Sequence, residues 1–430
     1  METRMKLSEY QKSLSGMMAA QLAISITKQN ISNLHTEGYV RQKVNFGATG
    51  ATTSSGLPSG YGVKPLDIER VTDEVKTMQY NQQLSEFSYY EYAVKELSGV
   101  EGLFGTSDES SLAALTDRFF QAWHEVEKNP TQPTYYQTVV SEADKLSSEL
   151  NRITSSLWQL KARAAEGGQF MAAEFNRLAK QLAETNEKIG DAGLQPPNQL
   201  LDERDQAIKN LAKLAKVDTT FESENPHVAT LRINGLLLVS GADHYPLEVD
   251  SNLTLRASGA EVKINGGSIQ AAIDLNVRHI PDYIQKISEF SKNLGDQVNA
   301  ILGTTFFTGE EGNLHVYPPI SANPASLKVT AETAKQVTEL AKQAMSPGIT
   351  YKTALDQLVV KVASDVNSAQ SYMTIHEDLL MGIEQEKLNV EGVNMDEEMV
   401  NLMMYQNYFA ANSKAIRTLN EMYESLFALI

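Results

Sequence analysis

The sequence predicts a mainly α-helical chain with a small inserted antiparallel β domain. The chain is expected to extend as an elongated multi-domain rod, with its N- and C-terminal helices paired like a coiled coil. Three features of the pattern lead there. Apolar residues recur every three to four positions through 72–215 and again through 270–388, the spacing of one helix face. Between 217 and 269 the period drops to two, which suits half-buried strands. At both chain ends the apolar residues keep a heptad register, the repeat of a coiled-coil seam.

The C-terminal seam is the broader one. Met399, Leu402, Phe409, Ile416, Tyr423, Phe427 and Ile430 fall on one stripe, with Gln406, Ser413 and Asn420 between them. Tyr405, Tyr408, Leu419, Met422, Leu426 and Leu429 form a second apolar row beside it. A helix apolar over that much of its circumference needs more than one neighbour. Asn394 is placed to cap this helix, and Asp396, Glu397 and Glu398 put negative charge at the positive end of its dipole. Near the N-terminus, Met17, Ala20, Ile24, Thr27, Ile31 and Leu34 make a narrower seam. Ala19, Ala20 and Ala23 beside Gly16 admit a close neighbour, and Gly38 stops the helix. The terminal helices are therefore expected to pair. Met17, Ala20, Ile24, Ile31 and Leu34 join the seven residues of the C-terminal stripe as candidate interface residues.

Between the ends, the Gly-, Ser- and Thr-rich run 45–62 reads as a loop, followed by a short strand over 63–71. Helices are expected over 73–100, 110–128, 134–165, 169–190 and 198–216. Asn129-Pro130 and Pro196-Pro197 serve as stops. Asn234-Gly235 between two apolar runs signals a hairpin, and further short strands are expected at 247–249, 253–256 and 262–264. Helix resumes over 270–302 around Pro281. After a loop-like 303–324, it returns at 330–344 and 353–388. Trp123 and Trp158 are expected in the core. The charged run Asp202-Glu203-Arg204-Asp205 reads as a solvated helix start with ion pairs.

The chain carries 54 acidic and 37 basic side chains, a formal net charge of −17. That excludes the basic footprint of a nucleic-acid binder and disfavours an anionic membrane surface. There is no cysteine, hence no disulfide and no thiolate chemistry. The opening METRMKLSEYQKSL lacks the pattern of a cleaved secretory signal. No run approaches the ~20 apolar residues of a membrane span. Seven scattered histidines hold no metal-ligand spacing, and no nucleophile or phosphate-binding motif is present. Ser240 with Asp243-His244 falls in an expected turn and reads as surface. No catalytic residue, cofactor site or metal site is expected.

Two blocks then resemble a known family. SLSGMMAAQLAISITKQNISNLHTEGYVRQ resembles the N-terminal segment shared by bacterial flagellar rod, hook and hook-associated proteins, through Ser15-Gly16, Asn30-Ile31-Ser32-Asn33 and Gly38-Tyr39. GVNMDEEMVNLMMYQNYFAANSKAIRTLNEMYESL resembles their closing helix. Arg41-Gln42 and the internal block LLDERDQAIKNLAKLAKV, 200–217, narrow the resemblance to the hook-associated branch. It also takes in IPDYIQKISEFSKNLGDQVNA, while the stretch after Phe306-Phe307 is shorter than in many relatives.

The resemblance implies a non-enzymatic structural subunit at the junction of hook and filament. Residues 1–44 with 390–430 would form an inner terminal-helix domain, 45–216 with 270–389 a helical rod, and 217–269 an outward β domain. The implied partners are sister copies in a ring, the hook protein, a second junction protein, and an export chaperone on the C-terminal helix. The implied location is extracellular, in the flagellum, after type III export without a cleaved signal. The ends, 1–40 and 395–430, would be disordered or chaperone-bound in the free monomer. Two other readings compete. Another axial protein, a hook or distal rod subunit, would lack the 200–217 block. A surface-binding module or hydrolase would need a concave polar site on the β domain.

Overall fold

The computed structural model describes residues 2–36, 38–52, 58–104, 111–309, 312–346 and 348–427. The first helix, α1 (Glu2–Ser32), ends before Gly38, which takes a φ of 80° that favours glycine. A long antiparallel hairpin follows, β1 (Gln42–Thr52) and β2 (Pro58–Arg70). The run expected as a loop is thus largely strand. Its register shifts at Asn45/Phe46 and Thr49/Gly50, irregularities that bend a ribbon. The hairpin lies along α1, where the Val63 N–H donates to the Ser15 hydroxyl at 3.2 Å. Among the described residues its extensive contacts are with α1, and the later helices reach it chiefly at Ile68 and Arg70.

The next helices are α2 (Glu74–Phe104), α3 (Leu112–Lys128), α4 (Pro133–Ala192) and α5 (Asn198–Leu214). Ser111 caps α3, its hydroxyl accepting from the Ala114 N–H at 3.2 Å. The helix α4 corrects the sequence reading, which divided it near Gly167-Gly168. It runs unbroken for 60 residues, about 90 Å at helical rise. Gly168 serves close approach there and does not break the helix. A Cβ at that position would lie 2.7 Å from the Leu253 side chain.

Two antiparallel sheets follow: β3 (Asp218–Phe221), β4 (Ala229–Ile233), β5 (Leu236–Ser240) and β6 (Asp243–His244) in that order, then β7 (Leu247–Val249), β8 (Leu255–Ala257) and β9 (Ala260–Glu261). Asn234 and Gly235 take φ of 47° and 81°, the type I′ turn that Asn-Gly suits. The strand expected at 262–264 ends earlier, at Glu261. The Val262 N–H still donates to the Leu255 carbonyl at 2.8 Å.

Helix α6 (Gly267–Asp274) passes through a π turn, Leu275–His279, into α7 (Ile280–Leu302). The π turn falls just ahead of Pro281, which has no N–H to offer an α-helical ladder. Short elements come next: β10 (Phe307–Thr308), β11 (His315–Val316), α8 (Pro318–Ala322), α9 (Ala331–Leu340), β12 (Ala344–Ser346) and β13 (Ile349–Thr350). Two long helices close the chain, α10 (Tyr351–Glu391) and α11 (Met395–Phe427).

The spine α4 serves two cores. Its first half, from Tyr136 to Ala164, buries a 3.5-period row among α2, α3, α7, α9 and α10 around Trp123, Tyr283 and Phe306. Its second half, from Ala172 to Ala183, packs with α5 and both sheets. Trp123 is fully buried, as expected. Trp158 is not: it is 51% exposed and lies beneath the Lys161 ammonium, 5.0 Å away.

Candidate functional site: the paired terminal helices

The two end helices do pair, and in one direction. The Asn30 amide donates to Glu398 Oε2 at 3.2 Å, while a Cβ on Gly16 would meet the Asn412 amide at 2.8 Å. Moving back along α1 therefore moves forward along α11, so the helices are antiparallel. This register sets Phe409 level with Ala19 and Leu402 level with Ile26. At Ala19 a small residue of α1 stands opposite a large one of α11, whereas Ile26 and Leu402 are both large. Asn394 caps α11, its side-chain oxygen accepting from the N–H groups of Asp396 and Glu397 at 2.9 and 3.3 Å.

The candidate interface residues divide by this geometry. Ala20 is buried, and Met17, Ile24, Ile31 and Leu34 are half-buried. The deepest row of α1 runs beside them, through Ala19, Ala23, Ile26, Thr27 and Asn30. On α11, Leu402, Phe409, Ile416 and Tyr423 are half-buried, and among the described residues α1 is the one element with which α11 makes extensive contact. These four thus line a seam within the chain. Met399 points away from it, 44% exposed, and Val400, Met403, Tyr408 and Met422 are uncovered with it. The exposed Ala410, Ala411 and Ala415 add no bulk along that side. The side chain of Phe427, and Ile430 as a whole, lie outside the described residues. The ends expected to be disordered are helical here, and their inner rows already satisfy each other. What stays uncovered on α11 is an apolar patch at its start, Met399, Val400 and Met403, with Tyr408 and Met422 on the other flank. The outward positions beyond the patch, Asn407, Lys414, Thr418 and Glu421, are polar and exposed.

Where the pair meets the rest of the molecule, three sequence blocks converge. Asn30 Oδ1 accepts from the Tyr39 hydroxyl at 2.7 Å and from the Gln42 N–H at 3.1 Å, while its amide donates to the Gln42 carbonyl at 2.9 Å. Gln42 stands opposite Arg70 in the hairpin. The Arg70 guanidinium reaches α5, pairing with Asp202 at 2.8 Å and Asp205 at 2.7 Å. Arg204 holds Asp205 at 2.6 Å, donates to the His227 carbonyl, and covers the Phe221 ring. Both guanidinium groups are more than nine-tenths buried. The Asp-Glu-Arg-Asp run expected in solvent is therefore largely interior. Ion pairing was legible from the sequence, but the partner, 132 residues earlier than Asp202, was not. Sequence reasoning also missed Asn30 and Glu398. The available signal was a polar side chain inside an apolar seam, which fixes register.

Burial dominates the electrostatics of this cluster. It pushes the Tyr39 hydroxyl up to about 12, with the Asp202 and Glu398 carboxylates adding to the rise. It pushes the Asp202 carboxyl up to about 6, outweighing the attraction of Arg70, and the Asp205 charge adds to the rise. The folded chain thus takes up a proton at Asp202 before the unfolded chain does. The stability this gives is present in full below about pH 4 and is lost as pH rises through about 6. In urea unfolding, the stability of the wild type relative to Asp202→Asn is expected to rise as pH is lowered from about 7 to 5. A difference that stays flat over that interval refutes the assignment.

Among the described residues, no group of three or more His, Cys, Asp or Glu side chains is placed to hold a metal ion. None of the described helices is long and apolar enough to cross a membrane. Ser240 and Asp243 pair across the β5–β6 turn, in keeping with the surface reading.

Comparison with known proteins follows this division of the chain. Residues 97–313 match the family model of the flagellar hook-associated protein FlgK helical domain. Residues 384–429, which hold α11, match that of the flagellar basal body rod FlgEFG protein C-terminal region. The flagellar hook-associated protein 1 of Bacillus subtilis (strain 168) is 28% identical over 231 residues, 51% of this chain and 44% of that protein. Its namesake in Salmonella typhimurium (strain LT2) is 27% identical over 233 residues, 53% of this chain and 42% of that one. Each match spans less than half of the relative's length. A solved structure, the flagellar hook junction protein FlgK from Burkholderia pseudomallei, superposes with a TM-score of 0.50 at 22% identity, over 54% of this chain and 47% of that one. This likeness bears on the fold. Since the helical-domain model spans half of its residues, the chain belongs to the flagellar hook-associated protein FlgK family.

Proposed function

We propose that this chain is a structural, non-enzymatic subunit of the bacterial flagellum that joins hook to filament as a homo-oligomeric ring. The observation that carries this reading is the apolar patch at the start of α11. A folded, paired terminal helix keeps Met399, Val400 and Met403 in solvent, and a neighbouring subunit would cover that patch. The family match and the names of the relatives supply the setting. In this reading the inner unit is residues 2–70 with 392–427, since the hairpin goes with α1. The long helices make a rod around α4, and 217–269 form the β domain. Sister copies close the ring through α11. The hook protein and a second junction protein stack on its two sides. Before assembly, a chaperone covers α11 during type III export to the extracellular flagellum.

The test is deletion of the gene in its source bacterium, followed by electron microscopy of the cells and assay of the medium. The expected result is intact hooks without filaments and filament protein released into the medium. Normal filaments on the deletion strain would overturn the proposal.

A further inference from the structure

The terminal unit hangs from the body of the molecule by two short links, residues 71–73 and 392–394. Away from them, among the described residues, none of α1, β1, β2 and α11 makes an extensive contact with a helix or strand of the body. Beside the links lies a cleft of about 1080 Å³, lined in part by Leu34, Val75, Met78 and Leu388. Two links with open space alongside leave the angle of a unit undetermined unless something else fixes it.

A line of buried and half-buried polar groups spans the junction. It starts at Glu398 on α11 and passes through Asn30 on α1 to the Gln42 backbone on β1. Arg70, opposite Gln42 on β2, carries it to Asp202 and Asp205 on α5. Arg204 finishes it at the His227 carbonyl, beside the β domain. Among the described residues, the other bonds across the junction lie at a link or in solvent: the Arg41 N–H to the Glu391 carbonyl, the Asp73 N–H to the buried Glu391 carboxylate at 3.0 Å, and the Asn198 amide to the Ile68 carbonyl. At Arg70 both carboxylates converge on one guanidinium nitrogen, Nη2. Such a buried charge contributes little net stability, but losing it strands two carboxylates.

We propose that this line of groups is a lock that sets the tilt of the terminal helix pair on the body. Breaking it at Arg70 frees the terminal unit to swing about residues 71–73 and 392–394, while both sides stay folded. The three blocks by which the sequence resembles its family meet at this lock: Asn30 and Tyr39, the helix start 202–206, and the opening of α11. Gly38 belongs to it as well, because a Cβ there would come within 3.0 Å of Gln206. The inference concerns the isolated chain and does not depend on its place in the flagellum.

The absence of cysteine makes the test clean. Spin labels on Ser25→Cys in α1 and Lys188→Cys in α4, both exposed positions, report the tilt by pulsed electron spin resonance. Labels on Glu166→Cys and Lys188→Cys, both within α4, report whether the body is intact. In the otherwise native full-length chain, both pairs are expected to give one narrow distance. Adding Arg70→Ala is expected to abolish the narrow peak of the Ser25–Lys188 pair and leave the pair within α4 unchanged. An unchanged narrow peak for Ser25–Lys188 overturns the proposal. Should Arg70→Ala also disturb the pair within α4, Arg70→Met decides, since it keeps the length of the side chain and removes the charged nitrogen that both carboxylates meet. Loss of the narrow tilt peak in that variant with α4 intact supports the lock, and its retention overturns it.

Discussion

Replacing Phe409 and Ile416 together by Asp is expected to separate the terminal helices and abolish assembly. Replacing Met399 and Met403 by Asp is expected to abolish assembly alone. The difference follows from where the four side chains lie. Phe409 and Ile416 are half-buried on the side of α11 that meets α1, with Phe409 level with Ala19. Losing their burial and setting two carboxylates in the seam costs about 2–4 kcal/mol. That exceeds what an isolated pair of helices spares, because helices out of tertiary contact are marginal in water. Met399 and Met403 are 44% and 53% exposed, and a carboxylate at either position meets solvent in the monomer. Circular dichroism is expected to show reduced helix for the first variant and none lost for the second. Motility and filament attachment are expected to fail for both. If the Met variant assembles normally, the patch of Met399, Val400 and Met403 is not the contact between subunits.

What the sequence could show, and what it could not, follows from the range of the interactions. The long helices were legible because their burial repeats within a few residues: the row Leu146, Leu150, Ile153, Leu157 on α4 is readable from spacing alone. The Asn234-Gly235 turn was legible because its φ angles depend on those two residues. The antiparallel partner of α1 was suggested by Gly16, Ala19, Ala20 and Ala23, whose smallness has no other local reason. Glycine in other settings misled, because the same residue breaks a helix, loosens a loop or admits a neighbour. Gly168 admits Leu253, 85 positions later in the chain, and Gly47, Gly50, Gly60 and Gly62 lie in a hairpin braced by α1. Trp158 misled in the opposite sense: its helix face was read correctly as amphipathic, but no element arrives to cover it. The interior ion pairs of Asp202 and Asp205 depend on Arg70, and nothing near residue 202 announces that partner.

Asn30→Ala is expected to be the most damaging single change in the terminal unit. The Asn30 side chain is 1% exposed and uses both of its polar atoms twice. Its oxygen accepts from the Tyr39 hydroxyl and the Gln42 N–H, and its amide donates to the Gln42 carbonyl and to Glu398. Truncation leaves the Gln42 peptide groups without these partners and deprives a carboxylate that is 3% exposed of its donor. Each neutral group so stranded costs about 1–3 kcal/mol, and a charge costs more. A total of about 3–5 kcal/mol is therefore expected, the range seen when one partner of a buried charge is removed. The loss should be local. The body cores draw nothing from Asn30, so hydrogen exchange is expected to quicken in α1, β1, β2 and α11 and to stay unchanged in α4. Asn30→Leu separates the two causes of damage, because it restores volume but no hydrogen bond. If the bonds matter most, Leu is as harmful as Ala. If Leu restores slow exchange in α11, the site is a packing position, and Glu398 finds its partner elsewhere.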